Sequence, residues 1–545
     1  MEVIQVLLRE SPQAWRRALI VAGLAGVANA AILGIINRGA SLASSSGTFL
    51  SLRLLLLFAM CILAFFAGKR YALIQSSVIV EYMLKNRLVR VSDKIRNSDL
   101  ELVESLGRGE LFTKMSQDTS LISQSGLIMV NAAQQSLVLF FCLCYIAWLS
   151  IPAFLSTVGM IAIGTTIYFN HAQGAQELLH RLKSKEAELV DSLSHMVDGF
   201  KEIRLNQTKR DGVFQSFSGI SETVRDLKID TQINFVVDIM FSDLFFYSLL
   251  AIVVFLLPRI EPTYSSIVLM TTAAILFIMG PLQLVVQAAP VFARAQAALR
   301  NLGELEDKLD RAMGVPPARV SGERQYQRFQ NIALQDVHFS YATREGVNGA
   351  FSVGPLDLRI ERGELLFLVG GNGSGKSTVL KLLTGLYFPQ DGRLAVDGRT
   401  VDRKTVHDYR ELFSTVFGDF HLFDRLYGME DVDEARVQAI LDELELTSKT
   451  RFRNGRFTDL NLSTGQRKRL ALAVTMLENK EVLVFDEWAA DQDPHFRDYF
   501  YNVVLKKLKA EGKTIVAVTH DDRYWPVADR VVKMEYGAIV DDSRN

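Results

Sequence analysis

Six stretches of this chain are long and apolar enough to dictate what its first 310 residues can become. They run from about Ala18 to Ile36, Leu52 to Ala67, Leu127 to Leu149, Pro152 to Phe169, Phe235 to Leu257 and Ile267 to Val291. A helix crossing the hydrocarbon of a bilayer needs about 20 largely apolar residues, because every backbone polar group there must be paired within the segment. The first stretch is too long for a cleavable signal and is followed by others. Basic residues set the orientation. Nine Lys and Arg fall between Lys69 and Lys114 and nine between Arg181 and Lys228, whereas none lies at Ser150–Ile151 and only Arg259 adjoins Pro258. The long basic connections and both termini are therefore expected on the cytoplasmic side, with six crossings.

Of those two connections, about 60 residues each, the second carries Ala175, Leu178, Leu179, Leu182, Ala187, Leu189 and Val190 at helical spacing, with no proline from Ala153 to Leu257. Both read as helical hairpins turning at Gly107–Gly109 and near Gln207–Gly212 and meeting the soluble part of the chain. Asp238 and Asp243 lie in the fifth apolar stretch, where an ionisable group serves either a cavity or a structural hydrogen bond. Five residues apart, they point about 140° from each other and are not a paired site. Pro281 after Gly280 suggests a kink in the sixth stretch, and Gln283 and Gln287 share one helical face.

Composition changes abruptly further on. Over 545 residues, 49% apolar content and a net charge of −1 would pass for a soluble enzyme. Residues 1–310, however, hold 53 charged side chains and residues 311–545 hold 68, a far denser charge in a shorter segment. Neither part has the basic excess of a nucleic-acid protein or the apolar poverty of a disordered one. Cys61, Cys142 and Cys144, all in apolar runs, are too few for a disulfide scaffold. The expected organisation is a transmembrane domain at 1–310, a linker at 311–326 containing Gly314, Pro316 and Pro317, and a soluble domain at 327–545.

In the soluble domain, the short apolar strand Leu365–Val369 runs into Gly370-Gly371-Asn372-Gly373-Ser374-Gly375-Lys376-Ser377-Thr378, followed by helix-forming residues. Strand, glycine-rich turn and helix in that order make a P-loop, whose backbone N–H groups converge on phosphate. Lys376 would reach the β- and γ-phosphates and Ser377 would hold Mg²⁺. A second apolar strand, Val482–Phe485, delivers Asp486 to the magnesium shell and Glu487 as the carboxylate that activates water.

Leu462-Ser463-Thr464-Gly465-Gln466-Arg467, 24 residues ahead of Glu487 when counted from Ser463, resembles the signature of the ATP-binding cassette (ABC) superfamily. A membrane half followed by a cassette is similar to an exporter-type half-transporter across essentially the whole chain. The run 462–471 and Phe485-Asp486-Glu487-Trp488-Ala489-Ala490-Asp491-Gln492-Asp493-Pro494 resemble bacterial cyclic-peptide and siderophore exporters of the microcin, pyoverdine and syringomycin type. Trp488 stands where most members have proline.

The resemblance implies further roles. Tyr341 would stack on adenine. Gly370, Asn372, Gly373, Gly375, Lys376, Ser377 and Thr378 would hold the ATP phosphates, with Ser463, Gly465 and Gln466 acting on the partner subunit's ATP. Asp493 would link the two sites across a homodimer, and His520 would sit beside the γ-phosphate. One element departs from the pattern. Where a glutamine usually meets magnesium, this chain reads Phe417-Gly418-Asp419-Phe420, leaving Asp419 as a substitute ligand. The segment from Asp419 to Leu462 is also short for the superfamily.

The implied function is ATP-driven export of a small peptide-like substrate across the bacterial inner membrane by alternating access, with ATP and Mg²⁺ as cofactors and no nucleic-acid partner. An importer of the same fold, or a membrane ATPase serving as a sensor or regulator, would carry the same motifs.

Overall fold

The structure, a computed structural model, describes residues 12–46, 52–260, 267–312, 326, 328–341 and 351–544. Compactness divides the chain into two units, one formed by 1–89 and 112–304, the other by 90–111 and 305–545. The tip of the first hairpin thus belongs with the soluble part, and most of the expected linker at 311–326 lies outside the described residues.

The first unit is built from long helices. They are Pro12–Ser46, Leu52–Arg96, Thr119–Leu149, Ile151–Asp198, Gln207–Ala251 and Val268–Ala312, of which the second and last run on into the other unit. Among the described residues, four segments are long and apolar enough to cross a membrane: Pro12–Ala40, Leu52–Arg96, Gly109–Leu149 and Val268–Arg311. The expected fourth span appears as a shorter apolar helix, Ile151–Ile167, and the expected fifth is not among the four.

Local chemistry explains the helix ends. Ser150 accepts from the Ala153 amide at 3.3 Å, with Pro152 in the first turn, so one long helix starts where the previous one stops. The turn expected near Gln207–Gly212 falls instead at Gly199–Asn206, around the short helix Phe200–Leu205. Asn206 caps the next helix by accepting from the Lys209 amide at 3.0 Å, and Gly212 stays inside that helix. Val268–Ala312 continues through both Pro281 and Pro290.

A shared core of Leu33, Val138, Cys142, Ile146, Ala153, Leu249 and Ile275 joins five of these helices. Asp243 accepts from the Gln283 amide nitrogen at 3.3 Å, so the two polar residues satisfy each other between helices. The side chain of Asp238 lies outside the described residues.

In the second unit, strands β1 (Asn331–Ser340), β2 (Ser352–Glu361), β4 (Asp391–Val396) and β5 (Arg399–Thr400) form an antiparallel sheet in the order β2-β1-β4-β5. A six-stranded sheet follows the order β12-β11-β3-β10-β9-β6. Its strands are β3 (Leu365–Gly370), β6 (Phe413–Val416), β9 (Val482–Asp486), β10 (Thr514–Val518), β11 (Arg530–Glu535) and β12 (Ala538–Arg544). All its pairings are parallel except β11–β12. Strands β3, β9 and β10 are apolar on both faces because two core clusters cover them. Between Asp419 and Leu462 lie the helix Glu434–Glu443 and the hairpin β7 (Phe452–Arg453)–β8 (Arg456–Phe457).

The hairpin tip is tied to this unit by specific contacts. Leu100 packs against the core beneath β1. Asp99 pairs with Arg403 at 2.6 Å, and Glu104 accepts from Lys381 Nζ at 2.8 Å and from the Tyr387 hydroxyl. The turn occurs at Gly107, whose φ of 69° and ψ of 157° exclude a side chain.

Candidate functional site

Three strand ends on the six-stranded sheet build the site. Strand β3 opens into the P-loop, β9 ends at Asp486, and β10 leads through Thr519 to His520. Parallel strands put these C-terminal ends side by side, the edge at which open α/β sheets bind ligands.

The P-loop helix, Lys376–Leu383, is entered through Gly375 at φ 100°, a conformation that frees the first-turn amides for an anion. Lys376 is buried, and its Nζ lies 3.0 Å from the Gly370 carbonyl, 2.9 Å from that of Gly371 and 4.0 Å from Glu487 Oε1. Burial lowers the pKa of its ammonium, while Glu487 and Asp486 pull it back up.

Asp486 is also buried, and desolvation raises its pKa above the ordinary carboxylate value. Hydrogen bonds from Ser377 and the Gly418 amide oppose that shift. Among the described residues its Oδ1 is buried without a hydrogen-bond partner, beside the Ser377 hydroxyl that bonds the same carboxylate. A buried carboxylate oxygen left unpaired beside a serine hydroxyl is the chemistry of a hard-cation ligand pair.

Glu487 follows in the left-handed region at φ 49° and ψ 36°. Its Oε1 lies 2.9 Å from His520 Nε2. Beside the P-loop helix, the Tyr341 hydroxyl meets Thr378 Oγ1 at 3.0 Å. Tyr341 stands edge-on to Phe339 and Tyr387 and is tilted 37° from Phe351, with ring centroids 6.5 Å apart.

The signature segment lies on a helix of its own, Thr464–Glu478. Ser463 and Gln466 form a reciprocal capping box at its start, and Gly465 packs against the Asp491 carbonyl. Asp493 caps the helix Pro494–Tyr499 through the Phe496 amide at 2.9 Å and pairs with Arg469 at 2.5 Å. Those contacts hold its pKa below the usual carboxylate value.

Residues 353–490 match the family profile described as "ABC transporter". Along 99% of its length the chain is 32% identical to the ATP-binding protein SyrD of Pseudomonas syringae pv. syringae, covering 96% of that protein. The chain belongs to the ABC transporter family. This transporter is also 33% identical over 230 residues to the macrolide export ATP-binding/permease protein MacB 1/2 of Paracoccus denitrificans, a match covering 39% of this chain and 33% of that protein. The fold as a whole is that of a solved bacterial Atm1-family ABC exporter with ATP bound, at a TM-score of 0.76 and 17% identity, over 97% of this chain and 95% of the other. The protein is therefore a membrane transporter whose C-terminal ABC ATPase domain binds and hydrolyses ATP to drive transport.

The structure gathers Tyr341, Thr378, Lys376, Ser377, Asp486, Glu487 and His520 around one P-loop. From the departing loop, it is the Gly418 amide that touches Asp486. Asp419 is exposed, with no hydrogen bond or ion pair among the described residues. Sequence reasoning passed over Phe351, whose only signal was an aromatic just ahead of β2, and Glu104, which gave none. It also passed over Lys468, hidden in a run of cations.

Proposed function

We propose that two copies of this ABC transporter pair with their cassettes head to tail and export a small peptide-like substrate across the bacterial inner membrane. The substrate class is a cyclic or modified peptide or a siderophore precursor, and both termini stay in the cytoplasm. Support for export comes from the exporter fold over 97% of the chain. Support for the peptide class comes from the signature and Glu487 segments. Pairing is supported by apolar residues left exposed at the second hairpin tip (Val197, Phe200 and Leu205) and on the cassette (Phe423 and Tyr427), which a partner copy would cover.

In this reading the adenine of ATP rests on Tyr341 and its phosphates on the amides of Gly370–Thr378. Lys376 swings from the Gly370 and Gly371 carbonyls to the β- and γ-phosphates. Bound Mg²⁺ would be held by Ser377 and Asp486 and would neutralise charge on the two terminal phosphates. The partner subunit offers the N-terminus of its signature helix to the γ-phosphate. Because Ser463 Oγ already accepts from the Gln466 amide, its hydroxyl hydrogen is free to donate there, beside Gly465. A water attacks the γ-phosphorus, the bond to the bridging oxygen breaks, and the water's proton passes to Glu487. His520 orients that carboxylate. Cassette closure reaches the membrane helices through the hairpins, and hydrolysis releases it.

The observation that carries the reading is Glu487, fixed at the end of β9 within 4.0 Å of Lys376 and 2.9 Å of His520. The purified Glu487→Gln transporter is expected to bind ATP with wild-type affinity and to lose turnover. Hydrolysis at the wild-type rate would remove Glu487 from its role.

A further inference from the structure

Between the signature helix and the turn that bears Glu487 lies a buried ammonium that the mechanism above does not use. Lys468 sits in the run Arg467-Lys468-Arg469, where a lysine ordinarily faces water, yet it is only 5% exposed. Its Nζ donates to the Glu487 carbonyl at 2.7 Å and pairs with Asp491 Oδ2 at 2.7 Å. A contact also returns in the opposite direction, for the indole N–H of Trp488 donates to the Lys468 carbonyl at 2.7 Å. Trp488 is 1% exposed and stacks on Phe500 with centroids 4.2 Å apart.

These bonds close a loop around one strained residue. Glu487 is in the left-handed region, which a residue bearing a side chain keeps only when its surroundings impose it. Lys468 grips its carbonyl, and Trp488 anchors the next residue in the core. A buried ammonium without partners would be costly, so its two oxygens define where the helix and the turn must sit. Asp491 completes the link, since its carbonyl lies against Gly465 of the signature.

We propose that Lys468 and Trp488 are positioning residues that hold Glu487 in its left-handed turn and bind the signature helix to the catalytic turn as one body. The proposal rests on the reading of Glu487 as general base. In a head-to-tail dimer it has a consequence for regulation. The helix that greets the partner's γ-phosphate also carries the lysine that sets this subunit's own base, so ATP at one site aligns the base of the other.

The test uses the full-length transporter in liposomes, with ATP hydrolysis and fluorescent-nucleotide binding as readouts. Lys468→Met keeps the bulk and removes the donors. It is expected to lower kcat about 10- to 100-fold, the size seen when a reacting group is misplaced by about an ångström. The KM for ATP stays within about threefold, and the ATP dependence becomes less steep, because positioning and not nucleotide binding is lost. Lys468→Gln, whose amide can still donate to the Glu487 carbonyl, recovers part of the rate. Trp488→Phe keeps the stack, loses the N–H and falls in between. In a Glu487→Gln background, where turnover is lost, Lys468→Met leaves fluorescent-nucleotide affinity unchanged, because its effect passes through Glu487 and not through the nucleotide.

A wild-type kcat for Lys468→Met, or a loss of nucleotide affinity on adding Lys468→Met to Glu487→Gln, overturns the proposal. If Lys468→Met does not fold cooperatively, Lys468→Gln and Trp488→Phe in the two backgrounds decide it. A Glu487→Gln transporter that hydrolyses normally defeats the general-base reading instead, whatever Lys468 does.

Discussion

Replacing Glu104 with alanine strikes the contact that seats the first hairpin tip on the cassette. The carboxylate accepts one hydrogen bond from Lys381 Nζ at 2.8 Å and one from the Tyr387 hydroxyl. Charge-assisted bonds of this kind contribute ~1.5–3 kcal/mol when protected, and exposed ion pairs ~0.2–1 kcal/mol. Glu104 is 38% exposed at its side chain against 18% for Lys381, which places the pair between those limits. The variant orphans neither partner, since Lys381 Nζ and the Tyr387 hydroxyl remain 3.2 Å apart. A loss of ~1–2 kcal/mol follows, a factor of about 5 to 30 in the opening equilibrium of the tip. Hydrogen exchange reads that equilibrium directly. Amides of residues 100–106 should lose protection by that factor, while amides of β3 keep theirs. Basal ATP hydrolysis persists and its stimulation by transported substrate falls. Unchanged protection at 100–106 would refute the claim that Glu104 seats the tip.

Burial holds the Asp486 carboxyl above the ordinary carboxylate value of 3.8, and the ionised form is the one that ligates metal. Binding of MgATP should therefore weaken as pH falls through that raised value, and Asp486→Asn should bind weakly with no acid limb; identical calorimetric pH profiles would contradict this. An alanine Cβ at position 465 would stand 2.8 Å from the Asp491 carbonyl oxygen. Overpacking of this kind costs ~1–3 kcal/mol, so Gly465→Ala should slow hydrolysis while nucleotide binding by the P-loop survives, and a wild-type rate would sink the assignment.

What could be read from sequence was local. Leu365–Thr378 announces strand, turn and helix within 14 residues, and Ser463 with Gln466 announces a capping box at a spacing of three. Glu487 and His520 each follow an apolar strand, so their meeting at the sheet edge follows from parallel topology alone. The rest depended on distance along the chain. The Glu104–Tyr387 contact joins residues 283 apart, and nothing near Glu104 marks it as docked. Lys468 reads as solvated among its cationic neighbours, and only the tertiary packing of Trp488 buries it. The second hairpin turns at Gly199–Asn206 because a capping asparagine is enough to start a helix, which left Gly212 without the role that its type suggested. Of six apolar stretches, four pass the test of length and hydropathy within the described residues, because a shorter apolar helix or one interrupted by aspartates blurs that signal.

ATP-dependent accumulation of a labelled cyclic peptide in inside-out membrane vesicles tests the central claim most directly. Vesicles carrying the wild-type transporter should accumulate the peptide when MgATP is added, and those carrying Glu487→Gln should not. Robust ATP hydrolysis without accumulation, with ATP-driven uptake appearing only in right-side-out vesicles, would contradict export.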